Sequence, residues 1–191
     1  MEKFVPPDFD VPRRLETPQF VLEPLGPEHN DQDYDAWTSS REHIHATPGW
    51  EDSRWPREMT PDENRADLQR HADDFRNRRE FTYTVLDPAS RDVIGCVYIY
   101  PLPDSDSDAR TLSWVRASRA QLDAPLWRAV TEWLASAWPF DNVEYAPRAQ
   151  ASSNDVNSRA EEERAEEEAE PPAARRDGGE PRAQQPPRPA G

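Results

Sequence analysis

The run Arg119-Ala-Gln-Leu-Asp-Ala124 stands directly ahead of a proline-started helical segment, and the chemistry it offers is anion binding. The first N–H groups of a helix have no intrahelical partners, so a turn that leads into one presents donors and a positive dipole end to a phosphate. Arg119 adds a guanidinium for a charge-assisted bond to a phosphate oxygen. Ala120, Leu122, Asp123 and Ala124 supply backbone, with Asp123 expected as the N-cap and Pro125 in the first turn. The plain alternative is a βα connection that binds nothing. Other candidates are thinner. Tyr98 and Tyr100 are read as packing residues on opposite faces of a sheet. His43 and His45 are two apart and cannot chelate one metal from a helix, while His29 and His71 read as lone surface residues, so no metal site is expected.

The elements that must position the turn are legible on both sides. Residues 109–118 read as a strand. Leu126, Val130, Trp133, Leu134 and Ala137 recur at helical spacing over 124–138, and Val143 and Tyr145 alternate with Glu144. Strand, crossover helix and strand make a βαβ unit, which is parallel and right-handed. Upstream, residues 19–25 read as a strand, 28–45 as a helix and 60–79 as a second helix opened by the capping box Thr60-Pro61-Asp62-Glu63. Residues 81–86 and 93–100 form an antiparallel hairpin. The fold expected is α+β, a mixed sheet whose antiparallel strands lead into one parallel βαβ unit, with helices on both faces. Of the seven tryptophans, Trp50 and Trp55 fall outside the periodic pattern and are candidates for a cleft or an interface.

This order of elements, over residues 18–146, resembles the GNAT N-acetyltransferase superfamily. There the turn after the fourth strand carries Gln/Arg-x-x-Gly-x-Gly/Ala and holds the pyrophosphate of acetyl-CoA. Arg119 matches the first position and Ala124 the last, while Leu122 stands at the glycine and is expected to crowd the approach of a ligand. The resemblance implies acetyl-CoA as co-substrate, with pantetheine between the splayed fourth and fifth strands against Trp114, Val115 and Arg116. It also implies an amine acceptor, on a small molecule or a protein, and a general base beside it, where the family's first helical region would place Glu42 and His43 by position alone. The family's fourth helix and last strands have no counterpart after residue 146, so the fifth strand is left as an edge for the N-terminal arm or a second copy to cover. Two functions stay open: an acetyltransferase, or a GNAT-fold binding module without catalysis.

Composition bounds the rest. A formal charge of −15 argues against a nucleic-acid partner, and no segment has the length of a membrane span. The single cysteine, Cys96, lies in an apolar strand pattern, reads as a buried inert thiol and fits a reducing cytoplasm. Residues 1–18 carry four prolines and read as an extended arm, and 19–146 form the domain. Residues 147–191 contain no Leu, Ile, Phe, Trp, Tyr or Met and are expected to be a disordered tail. Truncation after Arg148 should therefore leave the thermal midpoint unchanged in scanning calorimetry; a clearly lower midpoint would make the tail structural.

Overall fold

The structure, a computed structural model, describes residues 4–103 and 105–148, and the tail expected beyond them lies outside the described residues. A six-stranded sheet runs in sequence order: β1 (Leu15–Glu16), β2 (Val21–Pro24), β3 (Phe81–Leu86), β4 (Val93–Pro101), β5 (Ala109–Val115) and β6 (Val143–Tyr145). Every neighbouring pair is antiparallel except β5 and β6, which are parallel and joined by α4 (Asp123–Ala137). The mixed sheet with one terminal βαβ unit is the expected architecture.

Each face of the sheet carries its own core. On one side Tyr83, Val97 and Val115 pack with Leu126, Val130, Trp133 and Leu134 of α4. On the other, Cys96, Tyr98 and Trp114 pack with Ala36 and Trp37 of α1 (Asn30–Thr38) and Ile44 of α2 (Arg41–His45). Helix α3 (Pro61–Arg76) sends Leu68 to one core and Phe75 to the other. Its capping box forms as expected: Thr60 Oγ1 accepts from the Glu63 N–H at 3.2 Å, and Glu63 Oε2 accepts from the Thr60 N–H at 2.7 Å. Cys96 is buried and free.

Four expectations are corrected. The helix read over 28–45 is a 3-10 turn (Pro27–His29) followed by two helices that break at Ser39-Ser40. Thr38 and Ser39 there turn their hydroxyls back onto the carbonyls of Tyr34 and Asp35. The arm does not cover the β6 edge, because β1 pairs with β2 at the opposite edge of the sheet. Ahead of β1 the arm packs on the α4-side core, with Phe4 stacking on Phe81 at 5.6 Å and on Phe140 at 5.2 Å and the Tyr83 hydroxyl donating to the Pro12 carbonyl at 2.5 Å. Tyr98 and Tyr100 share one face, as two residues of one strand must, and their rings stack at 5.8 Å. His29 and His71 are not lone surface residues. His29 accepts from the Gly26 N–H, and His71 is 5% exposed.

A bulge sets up the end of β5. Val85 pairs with Gly95 but Leu86 with Val93, which leaves Ile94 as the extra residue, and its carbonyl accepts the Arg116 N–H at 2.8 Å. The strand crossing is so close that a Cβ on Gly95 would lie 2.1 Å from the Trp114 carbonyl oxygen. Gly95→Ala should therefore cost about 1–3 kcal/mol, lowering the midpoint by roughly 2–4 °C per kcal/mol. An unshifted melting curve would contradict this packing.

Candidate functional site

After Val115 the chain turns through a 3-10 segment (Ala117–Leu122) into α4. The turn is fixed from outside, by the Ala117 N–H on Ser40 Oγ at 3.0 Å, and from inside, by the Arg119 N–H on the Arg116 carbonyl at 2.8 Å. Leu122 has φ −87° and ψ −7° and packs its side chain against the α4 core. No left-handed backbone is required there, so leucine is accommodated without backbone strain. Asp123 does not cap. It is the first residue of α4, in helical conformation, and its carboxylate is drawn to Arg148 instead.

The turn brings Arg119, Ala120, Leu122, Asp123 and Ala124 together, with Ala120 exposed and the others half-buried. Its arginines are already engaged. Arg119 donates to Asp87 Oδ2 at 3.1 Å, across to the β3–β4 turn, and Arg116 donates to Asp35 Oδ2 at 2.8 Å on α1. Asp87 is held below the usual carboxylate range, chiefly by the N–H groups of Ser90 and Ala89 and less by Arg119. Trp114 is fully buried, its indole donating to the Tyr98 hydroxyl at 3.3 Å, and Val115 is buried on the α4 side.

Strands β5 and β6 pair only from Ala109–Thr111 to Val143–Tyr145. Beyond that they part, and the Ser113 carbonyl on the open edge accepts from the Trp50 indole at 2.8 Å and from Arg148 Nη2 at 3.1 Å. Arg148 donates through Nε to Asp123 Oδ2 at 2.6 Å, through Nη1 to the carbonyls of Pro48 and Ala146, and through Nη2 also to Ser113 Oγ. The Ser113 hydroxyl in turn meets the Tyr145 hydroxyl at 2.5 Å. Sequence reasoning found neither Arg148 nor Ser113. The acceptors of Arg148 lie as far away as Pro48, and no local spacing signals such a contact.

Beside this gap opens a cleft of 350 Å³, walled by Trp50, Trp55, Tyr98, Tyr100 and Leu112 and rimmed by Arg57, Asp67, Arg70 and His71. The two aperiodic tryptophans thus line a cleft, as one of their two readings had it. Glu42 and His43 do not line it. A depression of 420 Å³ between β2 and α3 is lined by Arg13, Glu23, Glu28 and Arg76 and shares nothing with the turn. Below the cleft, His71 Nδ1 lies 2.9 Å from Glu80 Oε1, and Nε2 lies 3.6 Å from Asp67 Oδ2. Burial pulls the His71 pKa down, but the two carboxylates outweigh it and leave it raised. Burial pushes Asp67 up, but hydrogen bonds from His71 and Arg70 bring it down to about 2. Among the described residues no cluster of metal ligands occurs, and no helix is long and apolar enough to cross a membrane.

The raised imidazole fixes a sign. A folded pKa above the ordinary 6.5 makes the His71 contribution complete below that value and lost as pH rises through the folded value. The wild-type midpoint should fall over that interval, and His71→Gln should flatten the fall; an equal slope in both proteins would remove His71 from the account.

No protein family's sequence pattern matches this chain, and no curated protein does. Solved structures do. The ribosomal-protein-S5-alanine acetyltransferase of Vibrio fischeri is similar over 67% of this chain and 69% of its own, at 17% identity and a TM-score of 0.51. A RimL ribosomal L7/L12 α-N-protein acetyltransferase is similar over 80% and 83%, at 13% identity and a TM-score of 0.51. A GCN5-related N-acetyltransferase from Brucella melitensis is similar over 78% and 67%, at 15% identity and a TM-score of 0.52. At such identities the likeness is one of fold.

Proposed function

We propose that this chain, a GNAT domain by its fold, transfers acetyl from acetyl-CoA to an amine. The observation that carries the reading is the turn of residues 119–124, which opens a 15-residue helix beside the gap where β5 and β6 part. Backbone N–H groups and Arg119 would receive the pyrophosphate. The edge of β5 around Val115 would pair with the pantetheine, since residues alternate in facing β4 and β6 and the Arg116 N–H is spent on β4.

The amine would enter the cleft walled by Trp50, Trp55, Tyr98 and Tyr100. The neutral amine nitrogen attacks the thioester carbon and gives up one proton to water, the C–S bond breaks, and the departing thiolate takes up a proton. Burial pushes the Tyr98 hydroxyl well above its ordinary range, so it stays protonated on the cleft wall, and it is the donor we assign to the thiolate. The second reading, a binding module without catalysis, is favoured by one observation: Trp50 and Arg148 fill the gap.

Saturation at one hundred times the dissociation constant is worth about 2.7 kcal/mol, so acetyl-CoA should raise the midpoint by roughly 5–10 °C. Arg119→Ala should shrink that shift. Leu122→Gly should lower stability without enlarging it, because the side chain it removes packs inward. Acetyl transfer to a panel of amines and N-terminal peptides is read by mass spectrometry. A shift without transfer selects the binding module; neither shift nor transfer at millimolar acetyl-CoA sinks both.

A further inference from the structure

We infer that Arg148 and Asp123 form an internal stand-in for the co-substrate, a latch that fills the groove and must open before acyl-CoA enters. The inference rests on the acyltransferase reading of that groove. Its basis is the chemical match between each half of the pair and the group it displaces. Past the last β5–β6 pair, the Ser113 carbonyl faces the open edge, where an amide of an extended ligand arm would donate. A guanidinium N–H of Arg148 donates there instead, at 3.1 Å. In the first turn of α4, where the helix dipole favours an anion, the carboxylate of Asp123 supplies one. The 2.6 Å contact from Arg148 Nε to Asp123 Oδ2 joins the two halves into one unit.

The latch is well made on one side and incomplete on the other. The Arg148 side chain is 3% exposed, and its N–H groups reach Asp123, Pro48, Ala146 and Ser113. Oδ1 of Asp123, by contrast, is buried with no hydrogen-bond partner among the described residues. A diphosphate arriving at the turn meets that same carboxylate and is repelled while it stays in place. Arg148 follows β6 by only three residues, so its release breaks no strand pairing. The Ser113 carbonyl keeps its second donor, the Trp50 indole, which walls the acceptor cleft.

The test is titration calorimetry of the full chain with acetyl-CoA, for wild type, Arg148→Gln, Arg148→Lys and Asp123→Asn. A charged hydrogen bond that competes with the ligand is worth about tenfold in affinity. Arg148→Gln and Asp123→Asn should bind about tenfold tighter than wild type, with Arg148→Lys between. Equal or weaker binding by Arg148→Gln, in a protein that wild type shows to be binding-competent, makes Arg148 a structural tie only and overturns the latch. No binding by any of the four, all folded by circular dichroism, overturns the acyltransferase reading and the latch with it. If Arg148→Gln does not fold, the wild type still decides through nitrogen-edited NMR of the Arg148 Nε–H, assigned by its absence in Arg148→Lys. That proton should be protected from exchange in the free protein and lose protection at saturating acetyl-CoA. Protection unchanged by the ligand refutes the latch.

Discussion

The central strands have no solvent side, since all six residues of β3 and the first seven of β4 are buried. A sheet closed on both faces must be covered by apolar side chains from two directions at once. This molecule meets the requirement with aromatics: Tyr83 lies edge-on to Trp133 beneath α4, and Trp50 lies edge-on to Tyr98 on the other side. Apolar burial at about 25 cal/mol per Å² favours such large rings. The same closure leaves little room for error at the strand crossings, which is why a glycine stands under the Trp114 carbonyl.

Closure also traps polar groups, and each needs a partner. Asn64 is satisfied in the interior by Trp37, Asn30 and Asp33, and His71 by Glu80, Asp67 and Thr82. Arg148 is the extreme case, a guanidinium with its donors spent on three carbonyls, a hydroxyl and a carboxylate. A buried charge removed from its partner is costly, so this arginine is committed to the gap unless a ligand offers something in exchange. Where β5 and β6 part, the Ser113 carbonyl has no strand partner, and it accepts from both Arg148 and Trp50. That link ties the groove to the aromatic cleft through a single acceptor, the Ser113 carbonyl.

Period and punctuation in the sequence determined the elements and their order. The strands at 81–86 and 93–100, the Thr60 capping box and the apolar stripe of 126–134 all act within a few residues and are where they were read. The strand read to residue 118 instead ends at Val115, the turn already begins at Ala117, and 81–86 is buried on both faces rather than one. The mixed sheet followed from them, because a strand, a helix and a strand of those lengths close in one way. What tertiary structure alone decided are contacts between residues far apart in the chain. Ser40 holds the Ala117 N–H, Trp50 and Arg148 meet at Ser113, and the arm lies on the edge opposite β6. Asp123 shows the difference at one residue: its local pattern specifies a cap, but an arginine 25 residues later offers a buried ion pair and takes the carboxylate. Local hydrogen bonds leave a signature in spacing, whereas such a pairing depends on where the packed sheet leaves a carbonyl unmet.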